Sequence, residues 1–300
     1  MWLQVSIKIM TFFTRSRIFS LVILLLAAGA FNSCEKFTGD QTIPAYIKID
    51  SIYFSTTLGQ GTAMHKFTDA WVYVDNELVG TFELPVVLPV LKRGQHTILI
   101  QAGIKMNGIA STRVPYPFTK SYTVSTRLTE DSTTIVVPRV TYYESVVFKW
   151  LEDFELGGIS MEKTSKSDTV MEKTNKTGEV CEGVFSGVVH LTDSASLFEC
   201  ATIKAFTLPK TGGSVFLELN YKVNNPVTVG LIGTAISQTL QEPVVVLNPN
   251  TKWNKIYINL TPTIGDMSTC YEYKVFIGAL KEADVSKPEM FFDNIKLIHF

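Results

Sequence analysis

Three runs near the C-terminus decide the fold: WNKIYINL at Trp253–Leu260, YEYKVFIGAL at Tyr271–Leu280 and MFFDNIKLIHF at Met290–Phe300. They are rich in β-branched and aromatic residues and show no sustained 3.6-residue period, so they read as strands. Five more precede them at short spacing: VFSGVVHL (Val184–Leu191), ATIKAFTLP (Ala201–Pro209), SVFLELNYKVN (Ser214–Asn224), VTVGLIG (Val227–Gly233) and EPVVVLN (Glu242–Asn248). Eight strand-like runs divided by turn residues predict the two packed sheets of a jelly roll. Upstream, MEKT occurs at Met161–Thr164 and again at Met171–Thr174. Two copies are too few to stack as a solenoid, and this polar stretch is expected to be a solvated hairpin or loop.

The N-terminal half carries shorter runs. Tyr46–Thr56 alternates and predicts a strand, and residues 57–69 predict a loop. In WVYVDNELVGTFELP, Trp71–Val74 and Glu77–Phe82 flank Asp75 and Asn76, a two-residue hairpin turn in which Asn tolerates the left-handed conformation. LKRGQHTILIQA places a Gly94 turn before a strand with His96, Ile98 and Ile100 on one face. Ser121–Arg127 and Thr133–Val140 then close a small β-sandwich. The segment VTYYESVVFK, residues 140–149, is too apolar for a flexible linker, so the two domains are expected to share a strand or pack closely.

Apolar residues make up 46 % of the chain and charged residues only 18 %, a balance that supports buried cores and excludes general disorder. A net charge of −1 without a Lys/Arg block excludes nucleic acid as a partner, because phosphate backbones need a basic footprint. No CxxC occurs and His65, His96, His190 and His299 are scattered, which speaks against a transition-metal site. GxSxG, HExxH and a phosphate-cradling glycine loop are also missing from the sequence. Glu152, Asp153 and Glu155 could pair only at the separation of roughly 5–9 Å that glycosidases need, and acidic residues at a domain boundary are usually solvated. The expectation is a non-catalytic protein.

Arg15 and Arg17 precede the apolar run Ile18–Phe31, which is shorter than the roughly 20 residues that cross a bilayer as a helix. It reads as a signal peptide, starting at Met1 or Met10. Asn32, Ser33 and Cys34 follow, and this cysteine after a small residue resembles a bacterial lipobox, with Phe31 where Leu is usual. The resemblance implies a diacylated Cys34 that anchors an exported protein to the outer membrane, on either face. Of the remaining cysteines Cys181, Cys200 and Cys270, at most one pair can form within the chain. Cys181 with Cys200 is the nearest pair; alternatively all three are small buried apolar residues. The expected class is therefore all-β: signal peptide 1–33, tether 34–45, small β-sandwich 46–142 and jelly-roll β-sandwich 143–300.

Two further resemblances follow from these residues. The VYVD hairpin, the VG step and the G-x-H turn into an apolar strand, about Ala70–Ile104, resemble the PEGA-type modules of bacterial exported proteins, with Asn76 where Gly is usual. That resemblance implies a structural turn role for His96. The second half, with DFE at Asp153–Glu155, SGVVHL at Ser186–Leu191, WNKIYINL and FFDNIKL at Phe291–Leu297 in this order, resembles the galactose-binding-like jelly rolls of carbohydrate-binding modules. This implies a structural calcium on Asp293 and Glu155, helped by Asp153, as the only cofactor; alternatively Asp293 caps a loop. It also implies glycan as ligand. Asp50-Ser51, Asp131-Ser132, Asp168-Thr169 and Asp193-Ser194 resemble the O-glycosylation sequon of exported Bacteroidetes proteins, though Asp followed by Ser or Thr is also ordinary turn chemistry.

Strand alternation names a candidate ligand row. Ile256, Ile258 and Leu260 share one face, which turns Trp253, Lys255, Tyr257 and Asn259 to the other. A row of ring, cation, ring and amide suits a sugar, whose apolar faces stack on aromatics while its hydroxyls bond polar groups; alternatively Trp253 is a packed residue at a strand's entrance. The expected function is glycan binding at an envelope surface. A scaffold for another envelope protein is the alternative, and a glycoside hydrolase comes third.

Overall fold

The computed structural model describes residues 43–300, so the signal segment, Cys34 and most of the tether lie outside the described residues. β1 (Ala45–Ile49) buries Ala45, Ile47 and Ile49 at every second position, the pattern of a strand with one wet face. The chain breaks at Asp50 and resumes as β2 (Tyr53–Ser55), so the run expected from Tyr46 to Thr56 is divided. β3 (Asp69–Val74) and β4 (Glu77–Glu83) form the expected hairpin. Asp75 (φ 53°) and Asn76 (φ 68°) both take the left-handed conformation its turn demands.

β5 (Val86–Val90) pairs with β1, and β6 (Gly94–Lys105) pairs with β3. β7 (Arg113–Pro115) and β8 (Tyr122–Leu128) lie along the other edge of β6. β9 (Thr133–Ile135) and β10 (Arg139–Thr141) run parallel to β1 and β2. Ile47, Val72, Ile98 and Ile100 from these strands share one hydrophobic cluster with Phe118 of the β7–β8 loop.

His96 fastens the hairpin turn. Its Nδ1 lies 2.6 Å from Asp75 Oδ2 and its Nε2 lies 2.9 Å from the Arg93 carbonyl, while the Thr97 N–H donates to Asp75 Oδ1 at 3.0 Å. Both ring nitrogens face acceptors, which favours the imidazolium. The Thr97 N–H and then His96 hold the Asp75 carboxyl down at about 2, and Asp75 raises His96 above its ordinary value. Asp75→Asn should therefore lower the His96 titration midpoint, read from its imidazole NMR signals; an unmoved midpoint would remove this account of the turn.

The second sandwich begins with β11 (Val147–Glu152), β12 (Met161–Lys163), β13 (Glu172–Thr174), β14 (Ser186–His190) and β15 (Leu197–Thr202). It continues with β16 (Val215–Val223), β17 (Val227–Thr234), β18 (Thr239–Leu247) and β19 (Asn250–Asn259). The helix α1 (Thr261–Asp266), β20 (Glu272–Leu280) and β21 (Glu289–His299) complete it. One sheet runs β13-β14-β21-β16-β19 with β11 beside β21; the other runs β12-β15-β20-β17-β18. Inward residues such as Phe198, Leu217, Leu231, Ile258, Tyr273 and Phe292 make the core between them.

Two expectations change here. The MEKT copies are not a hairpin: one forms β12 and the other β13, at the edges of opposite sheets. Met161 and Met171 turn toward the core between the sheets, and each short strand closes an edge. Second, the strand expected at Ala201–Pro209 lies earlier, at Leu197–Thr202, and Phe206 makes only an isolated bridge to Tyr273. In FFDNIKL, Asn294 adopts φ 50° at a bulge, so Phe292 and Ile295 both face inward although three apart.

The sheet containing β16, β19 and β21 is covered on its other side by the first sandwich, and we call it the seam sheet. Phe216, Tyr257 and Ile298 project from it into the hydrophobic cluster of residues 45–148. Residues Pro44–Phe300 accordingly form one compact unit.

Candidate functional site

The expected ligand row lies on the seam and is divided by it. Lys255 and Tyr257 are only 6 % and 2 % exposed, which corrects their expected place on a solvent-facing sugar surface. The alternation was right and the neighbour was not foreseen: the far side of β19 meets a second hydrophobic body instead of water. Tyr257 stacks on Phe67 and packs against Tyr116 at 4.9 Å, and its hydroxyl accepts the Lys66 N–H at 2.9 Å. The Asn259 N–H donates to Asn107 Oδ1 at 2.8 Å, and Asn107 N–H donates to the Tyr257 carbonyl at 2.9 Å. These bonds from the first sandwich cap the exposed edge of β19. Trp253 stays half-exposed beyond the seam, its ring 6.5 Å from Phe291.

Between the sandwiches sits a buried charge cluster. Glu218 on β16 places Oε2 2.7 Å from Lys255 Nζ, while Oε1 accepts the hydroxyls of Tyr142, at 2.7 Å, and Tyr116. Lys296 donates to the Thr62 carbonyl at 2.6 Å and to the Tyr142 hydroxyl. Burial alone would push the Glu218 carboxyl up, but the charges of Lys255 and Lys296 and the bonds from Lys255 and Tyr116 hold it down at about 2. Burial lowers Lys296 to about 8.

Among the described residues, no three His, Cys, Asp or Glu side chains converge on a point where a metal could sit. Asp293 accepts from the Ser186 hydroxyl at 2.6 Å and from the N–H groups of Glu182 and Asn294. Glu155 accepts the N–H groups of Val184 and Phe185, and Asp153 accepts that of Glu155. Calcium takes six to eight oxygens aimed at one point, whereas Asp293 and Glu155 are aimed at donors along one loop. The set does not fit the calcium that the jelly-roll resemblance implies; Asp293 acts as the loop cap.

Of the two alternatives for the cysteines, the Cys181–Cys200 bridge is not formed, and both thiols are free. Cys181 lies on the seam side, its Sγ 3.8 Å from Met64 Sδ, while Cys200 on β15 faces the core, its Sγ 4.0 Å from Met161 Sδ. The seam sheet separates them. Burial raises both thiols, Cys181 to about 12.

The other sheet of the jelly roll is not covered by the first sandwich and carries a groove of about 610 Å³. It is lined by Lys166, Glu199, Thr228, Gln241, Pro243 and Phe276 among others. Tyr273, Val275 and Ile277 of β20 point into the core, so Phe276 lies on the outward face, where it is only 4 % exposed and forms the groove's floor. Its ring rests on Gly230: a Cβ there would meet the ring at 2.6 Å and the Glu242 carbonyl at 2.2 Å. The polar groups are set by one another. Glu199 accepts the Thr164 hydroxyl at 2.7 Å and the Gln241 amide at 2.6 Å, and Lys166 donates to the amide oxygen of Gln241. These residues were missed in the sequence. The signal was the face of YEYKVFIGAL opposite its apolar one, together with the glycine of VTVGLIG that β17 places against it.

No protein-family model matches the chain, and no curated protein matches it. Similar solved structures include carbohydrate-binding modules of the β-sandwich superfamily, with 12 % identity and a TM-score of 0.38, covering 76 % of this chain and 84 % of that one. A family 11 carbohydrate-binding module from Clostridium thermocellum, in complex with a β-1,3-1,4-mixed-linked tetrasaccharide, matches at 15 % identity and TM-score 0.34, over 49 % of this chain and 92 % of that one. A module in complex with β-1,4-galactotriose matches at 11 % identity and TM-score 0.29, over 46 % and 85 %. These TM-scores fall below 0.5, and the groove's chemistry is read from its own residues.

Proposed function

We propose that this chain is a non-catalytic glycan-binding protein of the bacterial envelope and that the groove on the uncovered sheet is its ligand site. The observation that carries this reading is the groove itself, in which Leu197, Pro243 and Leu280 offer apolar surface above the buried Phe276 ring, beside the Gln241 amide, the Glu199 carboxylate and the Lys166 ammonium on a rigid sheet. A sugar needs an apolar surface for its ring face and fixed polar groups for its hydroxyls. Glu199 is the groove's one carboxylate among the described residues, whereas glycoside hydrolysis usually takes two.

Export and acylation at Cys34 complete the proposal, supported by the sequence pattern around it. Ser51, Ser132 and Ser194 are exposed, open to modification in that setting, and Thr169 is half-buried.

A glycan array with residues 44–300 tests the site. Binding should fall at least tenfold in Phe276→Ala and in Gln241→Ala and persist in Trp253→Ala. Binding that survives both groove variants would sink the site, and a stoichiometric protein partner with no glycan hit would favour a scaffold instead.

A further inference from the structure

A second recess lies at the seam, between the end of β6 and the outer edge of β19. It has a volume of about 80 Å³ and is lined by Lys66, Thr68, Lys105, Tyr221, Asn254 and Lys255, among others. A water molecule needs roughly 10–15 Å³ on this measure, so the recess admits a small polyatomic ion and excludes a sugar ring.

Its charge is out of balance. Glu218 is a buried carboxylate at the seam, and it serves Lys255 and Lys296 together. Lys105 has Glu83 at 3.4 Å and shares it with Arg113 at 3.0 Å, and Arg113 also pairs with the buried Asp69, so Lys66, Lys105, Arg113, Lys255 and Lys296 face Glu83, Asp69 and Glu218. Lys66 bonds only the neutral amide oxygen of Asn254 among side chains, and burial together with the Lys105 charge lowers its pKa. The Lys255 side chain is 3 % exposed, and its Nζ, 2.7 Å from Glu218 Oε2, is closed off from solvent. A buried ammonium is costly, and a negative charge brought close to it lowers that cost. The Tyr221 hydroxyl accepts from the Asn254 amide at 2.8 Å, which leaves its own proton free to donate.

We propose that this recess binds a small oxyanion, a sulfate, phosphate or carboxylate group, on the ammonium groups of Lys66 and Lys105 and the Tyr221 hydroxyl, beside the enclosed charge of Lys255. Bound there, the anion bridges loop 56–68 and β6 of the first sandwich to β16 of the second. The site is separate from the groove on the uncovered sheet and stands or falls without it.

Thermal unfolding of the full chain in sodium sulfate and sodium phosphate, against sodium chloride at matched ionic strength, tests the site. The wild type should show a saturable rise in midpoint with either oxyanion, because a ligand that binds only the folded state stabilises it by mass action. Lys66 and Lys105 lie at least partly in solvent, so Lys66→Gln/Lys105→Gln should keep the chloride midpoint near the wild-type value while losing the oxyanion response. No saturable response in the wild type, or an equal one in the double variant, overturns the proposal. N-acetylglucosamine 6-sulfate distinguishes the sources: competition with inorganic sulfate means a glycan-borne group, and its failure means a free ion. Phe276→Ala should leave the oxyanion response intact, which separates this site from the glycan groove.

Discussion

Glu218→Gln should destabilise the protein by about 3–5 kcal/mol, the usual cost of removing one member of a buried ion pair. The glutamine keeps an oxygen for the tyrosine hydroxyls but leaves Lys255 and Lys296 without their shared counter-charge. The pH dependence identifies the cause. In the folded protein Glu218 is depressed from 4.5 to about 2, so the stability it supplies is fully present above about 4.5 and drains as pH falls toward 2. The variant has already lost that contribution, and its urea midpoint should change less than the wild type's over this acid range. At the alkaline end the sign reverses. Lys296, already lowered to about 8 by burial, falls further without Glu218, so raising the pH lets it shed its proton and recovers part of the loss. Urea midpoints of both proteins from pH 3 to 9 check this; parallel curves would mean that the cluster does not hold the seam as described.

The fold class was legible because strand alternation is a local property. Ile256, Ile258 and Leu260 face the core as their spacing requires, and Asp75-Asn76 turns as its side chains allow. What could not be read was which of two outward faces would stay wet. Trp253, Lys255, Tyr257 and Asn259 do share the outward side of β19, but the first sandwich lies over most of it. A burial partner far along the chain leaves no periodic trace: Tyr116 and Tyr142 reach Glu218 across sequence separations of 102 and 76 residues. One composite signal was available, the charged and aromatic residues standing opposite apolar partners in SVFLELNYKVN and WNKIYINL. Glu218 and Lys255 sit there on neighbouring strands, and so close an opposite pair suits a covered face as well as a ligand. Phe276 was passed over for the converse reason, since a phenylalanine in an apolar run looks like core until its strand's inward set is complete.

Tyr257→Ala should cost about 3–5 kcal/mol, as large aromatic truncations in cores do, and should not change glycan affinity measured below the unfolding midpoint. The ring stacks against Phe67 and Tyr116, and its hydroxyl satisfies the Lys66 N–H, so its loss opens a cavity and strands a donor together. Tyr257→Phe separates the two effects: it keeps the ring, and its smaller cost, about 1–3 kcal/mol, is that of the unsatisfied N–H. Because Tyr257 belongs to the hydrophobic cluster of the first sandwich while its strand belongs to the second, both halves should unfold at the lower midpoint in one transition. Trp253→Ala, at a half-exposed position on the same strand, should cost much less. The contrast decides between the two roles open to this row. If Tyr257→Ala removed glycan binding while leaving stability at the wild-type level, the row would be a ligand surface after all; a large stability loss with binding retained identifies it as the joint that makes two sandwiches one body.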